Sequence, residues 1–271
     1  MKRIASILIF PAAFLLLYGC TEWLDIRPES EVVLEDFWKN ETQAVQVAMS
    51  CYRSFTEADN VRRMIVWGEL RSDNLVQGGG TDNNLVKILD VDINASNPYC
   101  SWASMYRTIN YCNNFLHFAP GVVDLDENFS IGKLRSLEAE VRTLRALAYF
   151  YLVRAFREVP IITDPSVDDT QEYKIPKSSE REVLDYIIED LRTALLYART
   201  AYEKTDYPKS RITQNSVRAM LADVLLWDQQ YEACIAECEQ ILADESLELV
   251  EAEKLVQTVK VPARLTELVK L

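Results

Sequence analysis

The feature that most constrains this chain is the stretch from Leu134 to Ala155. Leu134, Leu137, Val141, Leu144, Ala148, Tyr151 and Ala155 recur there by three and four, with charged residues between them. That period fits one face of an α-helix and no β-strand. The spacing predicts a helix over residues 130–157 that stops before Val159-Pro160, with its charges on the face opposite the stripe.

The same rhythm returns elsewhere. Asn40-Glu41-Thr42-Gln43 reads as a capping box, opening a helix with the stripe Val45, Ala48, Met49, Tyr52 and Phe55. Trp102 begins another run, through Met105, Tyr106, Ile109, Cys112 and Leu116 to a break at Pro120-Gly121. Pro176-Lys177-Ser178-Ser179 with Glu182 is a start signal for Val183, Ile187, Leu191, Ala194 and Ala198. Thr213 opens Val217, Met220, Leu221, Val224 and Trp227, and after Asp228-Gln229-Gln230 come Tyr231, Ile235, Cys238 and Leu242. This last pair has the size of a tetratricopeptide unit. One such unit cannot bury its own apolar face, so it must stack on the helices over 178–199 and 130–157. Between Val61 and Pro98 the period is lost, and Gly78-Gly79-Gly80 marks a loop. The fold class is all-α, a bundle or solenoid with tetratricopeptide-like helix pairs. Seven glycines and nine prolines in 271 residues agree with it.

The N-terminus carries a different signal. Lys2 and Arg3 precede an apolar run from Ile4 to Tyr18, followed by Gly19-Cys20. Charge, length and flank are those of a secretory signal peptide, too short for a comfortable transmembrane span. Leu17-Tyr18-Gly19-Cys20 resembles the bacterial lipoprotein signal, in which the cysteine is acylated and becomes the first residue. Residues 1–19 are then the signal peptide and residues 20–39 a lipid-anchored tether, with Trp23, Leu24, Phe37 and Trp38 docking onto the body. Residues 40–243 form the helical domain and 244–271 an atypical tail.

The net charge is −13. So acidic a body excludes nucleic acid, whose phosphates need Lys and Arg, and electrostatic adhesion to anionic lipid. Neutral ligands such as sugars meet no such objection. With Cys20 lipidated, Cys51, Cys100, Cys112, Cys234 and Cys238 are an odd set at irregular spacing. They read mostly as small buried apolar residues. Cys234 and Cys238 stand one helical turn apart, but no histidine or second cysteine pair completes a metal site. His117 is the only histidine, so no conventional catalytic triad can be built.

Several segments together resemble the SusD/RagB family of bacterial outer-membrane nutrient-binding lipoproteins. They are Cys20 with Trp23-Leu24-Asp25, then Asp36-Phe37-Trp38, Glu69-Leu70-Arg71-Ser72-Asp73-Asn74, and Trp102 to Asn110. Ala139 to Phe150, Val159-Pro160-Ile161, Asp190-Leu191 and Arg211-Ile212-Thr213 continue the match in order. The resemblance implies a helical, tetratricopeptide-like surface lipoprotein with Cys20 as its lipid anchor. Such a protein sits as a lid over a TonB-dependent (SusC-like) transporter and delivers oligosaccharides or other nutrients to it. It implies no enzyme activity and no cofactor. Two departures stand out: family members run to about twice this length, and residues 244–271 contain no glycine and no aromatic residue. A truncated, non-functional copy is therefore one alternative. A helical-repeat adaptor that binds another protein is a second.

Sugar recognition uses flat apolar ring faces beside fixed polar groups. The segment 61–102 offers Trp67, Tyr99 and Trp102, with Arg71, Asp73, Asn74, Asn94 and Asn97 among them. In the family this region lies near the ligand surface, which makes Asp73, Asn74, Tyr99 and Trp102 the candidate ligand-binding residues. The bland readings stay open beside these: Trp102 also begins an apolar stripe, and Asp73 can simply cap a turn. Glu140, Arg142 and Arg145 read as a solvated face or an internal ion-pair network rather than a catalytic cluster.

Overall fold

A computed structural model describes residues 37–72, 75–167, 174–203 and 210–247. Residues 1–36, with Cys20, Trp23 and Leu24 and the expected signal peptide, together with Asp73, Asn74 and the residues beyond 247, lie outside the described residues. The chain divides into two units, Met1–Lys39 and Asn40–Leu271. In the first, the Phe37 ring stands edge-on to Trp38, centroids 5.4 Å apart.

The second unit contains eight α-helices among the described residues. They are α1 (Glu41–Thr56), α2 (Ala58–Gly68), α3 (Asn83–Leu89), α4 (Ala103–Val122), α5 (Ile131–Phe156), α6 (Glu180–Tyr197), α7 (Gln214–Trp227) and α8 (Tyr231–Leu242). A 3-10 turn, Pro98–Cys100, precedes α4. The starts follow from local chemistry. Asn40, Ser130, Ser179 and Thr213 each accept a backbone N–H from the first turn that follows. Such a cap is worth about 0.5–2 kcal/mol. Ser179 and Glu182 form a complete capping box at the start signal that the sequence predicts.

α5 is the axis of the unit, packing on α1, α2, α4, α6 and α7. Being surrounded, it buries more than one stripe. Glu140, Thr143 and Arg145 are buried alongside Leu137, Val141 and Leu144, so Glu140 and Arg145 do not lie on a solvated face. α6 packs on it through Val183, Ile187, Leu191 and Ala194, and α7 stacks in turn on α6 through residues such as Val217 and Leu221. Between α5 and α6 the chain returns through one antiparallel bridge, Val159 to Ser178.

Five expectations are corrected. The irregular stretch after Val61 contains α2 and α3; the buried residues of α2 are Asn60, Arg63 and Val66, a mostly polar face that hides the period. Pro120 does not stop α4, because the helix ends only two residues later and little hydrogen bonding is lost. The inner face of α1 is Ala44, Ala48, Cys51, Ser54 and Phe55, rotated from the predicted stripe toward its smaller side chains, with Val45, Met49 and Tyr52 only partly buried. On α8 the apolar stripe faces outward: Tyr231, Ile235 and Leu242 are 54%, 56% and 60% exposed. Of the five described cysteines, all free thiols, only Cys51 and Cys112 are buried. Cys238 is exposed because it lies on that outward stripe.

Candidate functional site

The candidate surface forms where the end of α2, the turn before α4 and the end of α5 meet. Two buried side chains build its frame. Arg63, on α2, donates to the carbonyls of Asp59, Pro98 and Ser101 at 3.0, 3.3 and 2.9 Å. A guanidinium has five donors in a rigid fork, so it can hold three carbonyls at once. Asn97 donates to the Asn84 carbonyl at 2.9 Å and accepts the Tyr99 N–H at 3.0 Å, tying the turn to α3. Asn97 is therefore a structural brace, 3% exposed, and not a ligand group.

On this frame the rings converge. Trp67 donates its indole N–H to the Tyr99 carbonyl at 2.8 Å. Phe156, the last residue of α5, stands edge-on to Trp67 at 5.1 Å and steeply to Trp102 at 5.4 Å. Trp102 also lies 6.1 Å from Tyr106, whose hydroxyl donates to the Pro160 carbonyl at 2.6 Å. Burial pushes the Tyr106 phenol well above its usual range, so it remains a donor. All of these rings are half-buried, and the Lys177 ammonium sits 5.8 Å from the Trp102 centroid. Trp102 thus occupies the N-cap position of α4 and is not fully enclosed in the core.

The Tyr99 side chain points to α3, donating to Asp82 at 3.0 Å. Burial and then the neighbouring carboxylate raise the Tyr99 phenol. The Asn84 N–H and then this phenol hold Asp82 below the usual carboxylate range. Tyr99 and Trp102 therefore flank one surface, through the Trp67 bond and the Phe156 ring. Phe156 and Lys177 are absent from the sequence-based candidates. Phe156 follows the last member of the α5 stripe and gives no periodic signal, and Lys177 reads only as part of a helix start.

The charges on α5 do other work. Asp190, 2% exposed, accepts Arg145 through both oxygens at 2.8 and 2.9 Å and Arg142 at 2.8 Å. Arg145 also donates to Asn113 at 2.8 Å, joining α4, α5 and α6. Burial opposes the Arg145 charge, but the bonds and charge of Asp190 outweigh it and keep the guanidinium protonated. Burial also pushes the neighbouring Tyr149 phenol up to about 12. One helical turn earlier, Glu140 accepts Tyr52 at 2.6 Å and pairs with Arg211. These are internal ion-pair networks, with every oxygen occupied by a structural partner. Among the described residues no group of three or more His, Cys, Asp or Glu is placed to hold a metal ion. Among them, too, no helix is long and apolar enough to cross a membrane.

Known proteins share this architecture. A SusD-like family model, described as starch-binding and associating with the outer membrane, matches residues 22–226. A SusD-like protein, P38, of Formosa agariphila is 25% identical over 255 residues, which are 93% of this chain and 48% of that protein. The chain spans about half the length of the curated relatives it matches. The crystal structure of a SusD superfamily protein from Bacteroides thetaiotaomicron superposes with a TM-score of 0.68 at 25% identity, over 77% of this chain and 48% of that one. A laminarin-binding SusD-like protein, 24% identical, shares the fold with a TM-score of 0.64 over 75% of this chain and 44% of its own.

Proposed function

This chain belongs to the SusD-like family, and on that premise we propose that it is a surface lipoprotein that captures glycans or other nutrients without cleaving them. In this reading Cys20 carries the lipid, the outer membrane holds the anchor, and the captured ligand passes to a TonB-dependent, SusC-like transporter. The observation that carries it is the partly exposed cluster of Trp67, Trp102 and Phe156, held by buried Arg63 and Asn97. Aromatic faces give rigid contact area to the C–H face of a sugar at low entropic cost. Stacking plus a few fixed polar groups is a capture chemistry, and the acidic body leaves neutral polysaccharides unrepelled. Asp73, Asn74, Tyr99 and Trp102 are the proposed contact residues.

Native electrophoresis of the protein through gels containing soluble starch or laminarin tests capture. Retardation by at least one polysaccharide is expected, and mobility unchanged in all of them refutes the reading. Labelling cells with palmitate tests the anchor: incorporation is expected in the wild type and lost in Cys20→Ala.

One observation favours a second reading. The outward stripe of α8 is an apolar face of the kind that binds another helix. An adaptor working only through that face leaves mobility in glycan gels unchanged.

A further inference from the structure

The end of α5 adopts a backbone conformation that its own residues do not favour. Arg157 has φ 63° and ψ −65°. Across it the Glu158 N–H donates to the Phe156 carbonyl at 2.8 Å. This is a γ-turn of the rare hand, strained for any residue with a Cβ. Glycine would take that φ without the clash, yet the position carries arginine. Strain of this kind persists where the surroundings over-determine it.

The surroundings are identifiable. The Arg157 guanidinium donates to Glu180, in the first turn of α6, at 2.9 Å. That pair is exposed at Arg157 and adds little net stability. What it supplies is direction. Two residues onward Val159 bridges to Ser178, and then the Pro160 carbonyl receives Tyr106. On the other side of the turn is Phe156, between Trp67 and Trp102. One strained residue therefore joins the ring cluster to a segment pinned on both α4 and the approach to α6.

We infer that Arg157 is a positioning residue: its turn, latched to Glu180, fixes the Phe156 ring and thereby the spacing of Trp67 and Trp102. This deepens the capture reading, and only its affinity consequence rests on that reading.

The test uses full-length protein labelled with 5-fluorotryptophan, with the Trp67 and Trp102 fluorine lines assigned from Trp67→Phe and Trp102→Phe. In Arg157→Gly both lines move or broaden, while the line of Trp227, which packs on Phe150 and Arg154, stays in place. The melting midpoint rises by about 2–4 °C as the strain is released. Laminarin or starch binding weakens about five-fold. A purely structural role gives a lower midpoint and unmoved lines. Unmoved Trp67 and Trp102 lines overturn the inference whatever binding does. If the wild-type protein binds neither glycan the capture reading falls, and the fluorine lines still decide the role of Arg157. Glu180→Ala, which leaves the residue at the turn intact, shifts the same two lines by less; no shift there overturns the latch.

Discussion

Midway along α5, Glu140 and Arg145 are charged side chains buried in the centre of the helical stack. At the C-terminal end of the same helix, Phe156 is a large apolar ring left partly exposed beside two partly exposed tryptophans. The ordinary distribution, greasy inside and charged outside, is reversed along one element. The two reversals have different physical consequences. The interior charges have several partners each, from α1, α4 and α6 and from the approach to α7, so they fix which helices meet and in what register. The rings at the end pack on one another, on Tyr106, on Lys177 and on a braced turn, and each stays partly exposed to solvent. The middle of α5 holds the stack together, and its end presents a surface.

That contrast can be broken at either place. The largest effect is expected inside. Asp190→Ala leaves Arg145 buried without its carboxylate, which costs about 3–5 kcal/mol. Urea unfolding should show a lower midpoint with an unchanged slope. A cost under about 1 kcal/mol would place Asp190 with the surface ion pairs. At the end of the helix, Phe156→Ala should cost about 1–2 kcal/mol, less than a fully buried phenylalanine, while glycan retardation is lost. Thermal melts and affinity gels on the same sample separate the two effects. The smallest effect is at the rim. Tyr99→Phe removes one exposed hydrogen bond to Asp82 and should cost under about 1 kcal/mol. Acid acts in the same sense. The Asp82 carboxyl is depressed in the folded state, so its contribution is complete above its ordinary value of 3.8 and is lost as the pH falls through the lowered one. Amide exchange over residues 82–99, compared at neutral and acid pH, should show this loosening in the wild type and a smaller one in Tyr99→Phe, where the Asn84 N–H still holds the carboxylate.

How much of this was legible in the sequence depends on how local each signal is. The starts at Ser179 and Thr213 are written in adjacent residues, and the structure places helices behind both. The stripe of α6 is legible because that helix buries one apolar face. α2 was not, because its buried residues include Asn60 and Arg63, whose partners lie on α4 and in the turn before it. Glu140 and Arg145 could be named as an ion-pair network, but their partners are 71 and 45 residues away and sequence spacing carries no trace of them. At the candidate surface, Trp67, Tyr99 and Trp102 announce themselves by residue type. Phe156 does not, since it joins them only through the fold. Asn97 misleads for the opposite reason: a polar residue in a loop looks available, and this one is spent on the backbone of its own turn.

The most direct measurement of the central claim is the dissociation constant for starch and laminarin, taken from gel retardation with the wild type and Trp102→Ala run side by side. Capture through the aromatic end of α5 is expected to appear as binding by the wild type that weakens about ten-fold or more in the variant, with far-UV circular dichroism unchanged and the melting midpoint lowered by only a few degrees. Equal retardation of the two proteins, or none for either, would contradict it.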